Sequence, residues 1–108
     1  MCGICGLWSN GRQDGVDQGV VTRMMDGMRH RGPDDQGLLR KEWGSCGHNR
    51  LSIMDPDGGK HPIFNEDRSL AVIANGEIYN YPRLHRDLEK RHRFTTTNDS
   101  EVLLHLYE

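Results

Sequence analysis

The sequence predicts an α+β fold. Short apolar runs bounded by turn clusters read as strands. They are interspersed with stretches whose apolar residues recur at helical spacing. A length of 108 residues leaves room for one domain.

The elements follow in order. Residues 3–8 are short and apolar and end in the turn Ser9-Asn10-Gly11-Arg12, which predicts a strand. Val20, Val21, Met24, Met25 and Met28 recur at helical spacing, so 17–30 is expected to be an amphipathic helix with a methionine-rich core stripe. Gly32-Pro33 stops it. Residues 38–43 and 46–53 read as strands around Gly44, followed by the turn cluster Asp55-Pro56-Asp57-Gly58-Gly59. Residues 70–74 read as a buried strand ended by Asn75-Gly76. A second helix opens near Pro82, a residue tolerated at a first helical position, and runs to about residue 91 with Leu84 and Leu88 on one face. A short strand is expected over 93–97. A third helix opens at Asn98, where Glu101 stands at capping-box spacing, and Val102, Leu103 and Leu106 give it an apolar face. The sequence stops at Glu108 inside that helix without a C-terminal cap, which suggests a piece of something longer.

Composition narrows the function classes. Leu, Ile, Val and Phe together number 22, so the core is thin for an ordered domain. Fourteen basic against 16 acidic residues argues against a protein that coats nucleic acid. The longest apolar run, Leu70-Ala71-Val72-Ile73-Ala74, is too short to cross a membrane. The start Met1-Cys2-Gly3-Ile4-Cys5-Gly6 has no basic segment and no long apolar one, so no secretory signal is expected. Three cysteines do not make a disulfide framework, and a reducing, cytoplasmic setting is expected.

The most unusual feature is Cys2 directly after Met1. An unperturbed thiol has a pKa near ~8.5 and is only a few per cent thiolate at pH 7, so it needs a base. Removal of Met1 would give Cys2 a free α-amine, a group with a pKa of about 7.7–8.0. One residue then supplies nucleophile and base, as in enzymes with an N-terminal threonine. On position alone, a small residue opening a strand is the plainer reading.

Four further blocks follow in order: Arg29-His30-Arg31-Gly32-Pro33-Asp34-Asp35, Gly47-His48-Asn49-Arg50-Leu51-Ser52-Ile53, Asn75-Gly76-Glu77-Ile78-Tyr79-Asn80 and Asn98-Asp99-Ser100-Glu101. With Met1-Cys2-Gly3-Ile4, they make the whole chain resemble the class II glutamine amidotransferase family, in the form carried by asparagine synthetases. That family belongs to the N-terminal-nucleophile hydrolases. The resemblance implies an αββα sandwich of mixed or antiparallel sheets, of which 1–108 would be the N-terminal part. It also implies L-glutamine as substrate, attacked by Cys2 to give a glutamyl thioester and ammonia.

The resemblance further implies an oxyanion held by the Asn75 side chain and the Gly76 backbone N–H. Asn offers an NH₂ group and Gly lets the backbone come close to a ligand. Alone, Asn-Gly after a strand reads as a hairpin turn. Arg50 matches the residue holding the α-carboxylate, a task suited to a planar guanidinium. Asp99 matches the partner of the α-ammonium, and is equally a first-turn acid favoured by the helix dipole. Leu51, Ile53 and Glu77 match further pocket contacts. The His30-Arg31-Gly32-Pro33-Asp34 block reads either as a loop shaping the site or as a helix stop. No metal or cofactor is expected for glutamine hydrolysis. ATP and Mg²⁺ belong to a synthetase domain outside this chain, and that domain or a completing chain is the expected partner.

Other readings are open. Cys2-x-x-Cys5 could suggest redox or zinc chemistry, but no second pair follows and Cys46 stands alone, so Cys5 reads as packing. Six histidines are scattered without metal-ligand spacing and read as solvated or lightly packed. The basic stretch 83–93 has interleaved acids and no aromatics, an ordinary solvated face. The last alternative is a catalytically silent fragment or interaction module that needs a partner chain.

Overall fold

A computed structural model describes residues 2–10, 17–51 and 60–108. Among them the order is β1 (Gly3–Trp8), α1 (Gln18–Gly27), β2 (Asp35–Lys41), β3 (Gly44–Arg50), β4 (Ile63–Phe64), β5 (Ala71–Val72), α2 (Tyr81–Leu88) and α3 (Glu101–Tyr107). The expected α+β class holds: both sheets are antiparallel, one ordered β1-β3-β2 and the other β4-β5.

β3 is the central strand, with Gly3 opposite Asn49 and Asp35 opposite Arg50. The two-residue period of a strand splits its side chains between faces. Gly47 and Asn49 face α1: a Cβ at Gly47 would run into Met25, and the Asn49 amide donates to the Met25 carbonyl at 2.7 Å. That carbonyl lies in the last turn of α1 and also accepts the Met28 N–H at 3.1 Å, so the strand and the helix cap share it. At the other end the Asp17 carboxylate accepts the Gly19 N–H at 2.9 Å, a side-chain N-cap. Val21 and Met25 are buried between α1 and the sheet, each contributing about 1.5–3 kcal/mol by burial. Cys46, His48 and Arg50 alternate onto the opposite face. A second cluster, Ile63, Leu88, Val102 and Leu104, is buried where α3 meets the small sheet and α2.

Several expectations are corrected. The first and second helices are shorter than expected, and the strands about Gly44 are shifted to Asp35–Lys41 and Gly44–Arg50. Only Ala71 and Val72 of 70–74 pair as a strand, and Ala71 is exposed, because a two-stranded ribbon buries one face at most. Residues 93–97 form no strand. The Thr95 and Thr96 N–H groups are taken at 2.8 Å by the Glu101 carboxylate instead of a neighbouring strand. The same turn of Glu101 leaves the capping box half made. Asn98 Oδ1 accepts the Ser100 N–H at 2.8 Å, but the Asn98 N–H donates to Thr96 Oγ1.

The inward stripe of α3 is Glu101, Val102, Leu104 and His105, so Leu103 and Leu106 point outward, 43% and 52% exposed. The turn cluster 55–59, part of the first turn and the expected strand end at Ile53 lie outside the described residues.

Candidate active site

The face of β3 opposite α1 opens onto a cavity of about 570 Å³. Cys2, Arg50, Leu51, Asn75, Gly76, Glu77 and Asp99 all line it. They come from the chain before β1, the end of β3, the segment after β5 and the turn before α3. Ile53 and Met1 lie outside the described residues.

Local bonds position the cysteine. The register that sets Gly3 opposite Asn49 carries Cys2 toward Arg50 and Leu51. The Leu51 N–H donates to Cys2 Sγ at 3.3 Å. The Cys2 carbonyl accepts from Asn75 Nδ2 at 2.8 Å and from Arg31 Nε at 3.3 Å. One hydrogen of the Asn75 amide is thereby used, and an NH₂ group carries a second. Gly76 has nothing within 4 Å of where a Cβ would stand, so its backbone is open to approach. Asp99 accepts the Ile78 N–H and so ties the 75–78 segment to the start of α3. Arg50 is 7% exposed, and its carbonyl accepts the Asp34 N–H at 3.0 Å.

These bonds give the 30–34 block a concrete role. Arg31 grips the Cys2 carbonyl and Asp34 grips Arg50. Between them Gly32 lies directly on β3, where a Cβ would stand 2.3 Å from the Asn49 carbonyl. No side chain fits there, so the block is a clamp on Cys2, just before β1, and on Arg50 at the end of β3.

The cavity has two walls that the sequence reading gave no role. His48, on the same face as Arg50, has Nε2 3.1 Å from the Ala74 carbonyl and stacks on His61 at 4.2 Å between ring centres. Burial pushes its imidazole below the ordinary value of 6.5, opposed by the bond to Ala74. The signal was available: two residues before Arg50 on a strand is the same face. Tyr81 lines the far side, and burial with the nearby Glu101 and Asp99 carboxylates raises its phenol.

The expectation of solvated or lightly packed histidines is corrected for three of them, since His48, His61 and His105 are buried. Cys5 points the other way from the cavity, with Sγ 4.0 Å from the Val21 carbonyl. Burial raises the thiols of Cys5 and Cys46.

The arrangement provides a thiol, amide donors beside it, the Arg50 guanidinium and the Glu77 and Asp99 carboxylates around a space of small-molecule size. Comparison with known proteins identifies the family. A family model described as a glutamine amidotransferase domain matches residues 1–108. An asparagine synthetase [glutamine-hydrolyzing] of Brassica oleracea is 42% identical over 108 residues, all of this chain and 18% of that protein. The Arabidopsis thaliana asparagine synthetase [glutamine-hydrolyzing] 1 is 41% identical and the nodule enzyme of Pisum sativum 39%, with the same coverage. The chain thus spans about a fifth of the length of these relatives. A match along its entire length shows that this chain belongs to the glutamine amidotransferase domain family.

Proposed function

We propose that this chain carries the glutamine-hydrolysing site of a glutamine-dependent asparagine synthetase, working through a Cys2 thioester. One observation supports this most directly: a single cavity gathers Cys2 and its Asn75 neighbour with Arg50 and Asp99. A guanidinium and a carboxylate on one cavity match the two charged ends of a free amino acid. A side-chain carboxamide would then extend toward the sulfur.

In this mechanism Met1 is removed and the Cys2 α-amine takes the thiol proton. The sulfur attacks the δ-carbon of glutamine. The C=O oxygen becomes an oxyanion, held by the second N–H of the Asn75 amide and the Gly76 N–H. Collapse breaks the C–N bond, and the leaving amine takes the proton from the α-ammonium and departs as ammonia. Water, deprotonated by the same amine, attacks the thioester, and glutamate leaves with the thiol restored. Leu51 fixes the sulfur through its N–H; Glu77, on the cavity rim, and Ile53 complete the substrate contacts in this reading. The step uses only groups of this chain, while ATP and Mg²⁺ serve a synthetase domain that receives the ammonia.

The same reading places the chain in the first part of an αββα N-terminal-nucleophile sandwich in the cytoplasm. Among the described residues no helix is long and apolar enough to cross a membrane. Exposed Leu103, Leu106 and Tyr107 on α3 favour a further polypeptide segment packed there.

Glutamine hydrolysis by the purified protein tests the proposal. Cys2→Ser should abolish glutamate release, while Cys5→Ala should retain it. Retained turnover in Cys2→Ser would refute the nucleophile.

A further inference from the structure

Away from the cavity, four metal-ligating side chains converge: Glu66, His92, His105 and Glu108. None of them lines the glutamine site. Glu66 follows β4, His92 follows α2, and His105 and Glu108 belong to α3 and its end. Each offers one donor atom, and all four atoms lie within 4.8 Å of one another.

The separations suit a single ion. His92 Nδ1 is 2.8 Å from Glu108 Oε2 and 3.4 Å from Glu66 Oε2. His105 Nδ1 is 3.0 Å from Glu66 Oε1 and 3.2 Å from Glu108 Oε2. Ligands held tetrahedrally at zinc bond lengths of ~2.0–2.1 Å lie about 3.3 Å apart, within this spread. The two imidazoles stack at 4.7 Å and 24°, which is compatible with their Nδ1 atoms meeting the same carboxylates.

The surroundings are those a metal site needs. His105 Nε2 stands 3.4 Å from Glu101 Oε1, and both side chains are fully buried. A carboxylate behind a ligating imidazole fixes its tautomer and strengthens it as a ligand. Glu101 is itself held by the Thr95 and Thr96 N–H groups. Asn65 donates to the other oxygen of Glu108. Glu66, Glu101 and Glu108 bring three carboxylates to one place beside buried groups, a concentration of negative charge that a divalent cation would neutralise.

We propose that Glu66, His92, His105 and Glu108 form a structural site for one zinc-like divalent cation. The ion ties the β4–β5 hairpin, the exit of α2 and the end of α3 together. Chain segments far apart in sequence supply the four ligands, which is why no motif announces the site.

The test uses the purified protein, stripped with a chelator and titrated with Zn²⁺ by calorimetry and with Co²⁺ by visible absorption. One equivalent of each should bind. Co²⁺ should give the visible bands of tetrahedral coordination without a thiolate charge-transfer band. Glu66→Gln and His92→Gln, both at partly exposed positions, should each weaken Zn²⁺ binding by roughly tenfold or more, since even outer-shell changes cost about 10–100-fold. Substituting all three cysteines by alanine should leave binding unchanged.

No binding by the unaltered protein, a thiolate band, loss of the site in the cysteine-free variant, or full affinity in both Glu66→Gln and His92→Gln would each overturn the proposal. The unaltered protein's cobalt spectrum decides the ligand type even if a variant fails to fold.

Discussion

Gly32→Ala tests the clamp on the active-site strands. The new methyl carbon would stand 2.3 Å from the Asn49 carbonyl carbon and oxygen and 2.6 Å from the Arg50 nitrogen. Carbon atoms rest about 3.5–4.0 Å apart, so the two backbones must separate by roughly 1 Å. Neither can yield by rotating a side chain. Overpacking of this kind costs about 1–3 kcal/mol.

The Asp34–Arg50 and Arg31–Cys2 bonds, at 3.0 and 3.3 Å, loosen with it. A loss of about 2 kcal/mol moves a urea midpoint by roughly 1–2 M when m is ~1–2 kcal/mol/M. A displacement of ~1 Å at Cys2 and Arg50 should also lower glutamine turnover by about a hundredfold. Gly27→Ala is the internal control, since nothing lies within 4 Å of its Cβ position. It should leave stability unchanged or raise it by a fraction of a kcal/mol, so the midpoint does not fall. Equal midpoints and equal turnover for the two variants would refute the clamp.

Three further outcomes follow from the site. Asn75→Ala should lower kcat for glutamine hydrolysis by about 10²–10³ with a smaller change in KM, as for loss of an oxyanion donor; a pure KM effect would remove Asn75 from that role. Arg50→Lys should raise KM for glutamine by roughly ten- to a hundredfold, the value of a hydrogen bond to a charged group, and steady-state kinetics showing an unchanged KM would separate Arg50 from the α-carboxylate. The His48 imidazole titrates below 6.5 in the folded chain because of burial, while the unfolded chain takes its proton near that value. Its contribution is therefore complete above pH 6.5 and is lost as pH falls through the lower folded value. Urea unfolding across pH 5–8 should show a shallower acid limb for His48→Gln, and equal slopes would contradict this.

Much of this molecule was legible in its residues, for identifiable reasons. Cys2, Arg50, Asn75, Gly76 and Asp99 sit in short ordered blocks, and all five line the cavity. β1 was visible as a short apolar run closed by a turn cluster, and α1 through apolar residues recurring at helical spacing. Glu101 was misread because a first-turn acid at capping-box spacing predicts a solvent-facing carboxylate. The chain instead buries it to satisfy the Thr95 and Thr96 amides, which abolishes the expected strand over 93–97 and turns Leu103 and Leu106 outward. The histidine cluster was invisible because its members meet only through tertiary packing. The role of Gly32 was hidden too, since a helix stop and a backbone contact use the same residue type.

The central claim is that Cys2 is the privileged nucleophile with its own free amine. The most direct measurement is the intact mass of the purified protein before and after a glutamine-mimicking electrophile, with the adduct located by peptide mapping. Loss of Met1 and a single adduct on Cys2 are expected, because Cys5 and Cys46 have thiols raised by burial. An active preparation that keeps Met1, or modification shared evenly among Cys2, Cys5 and Cys46, would contradict it.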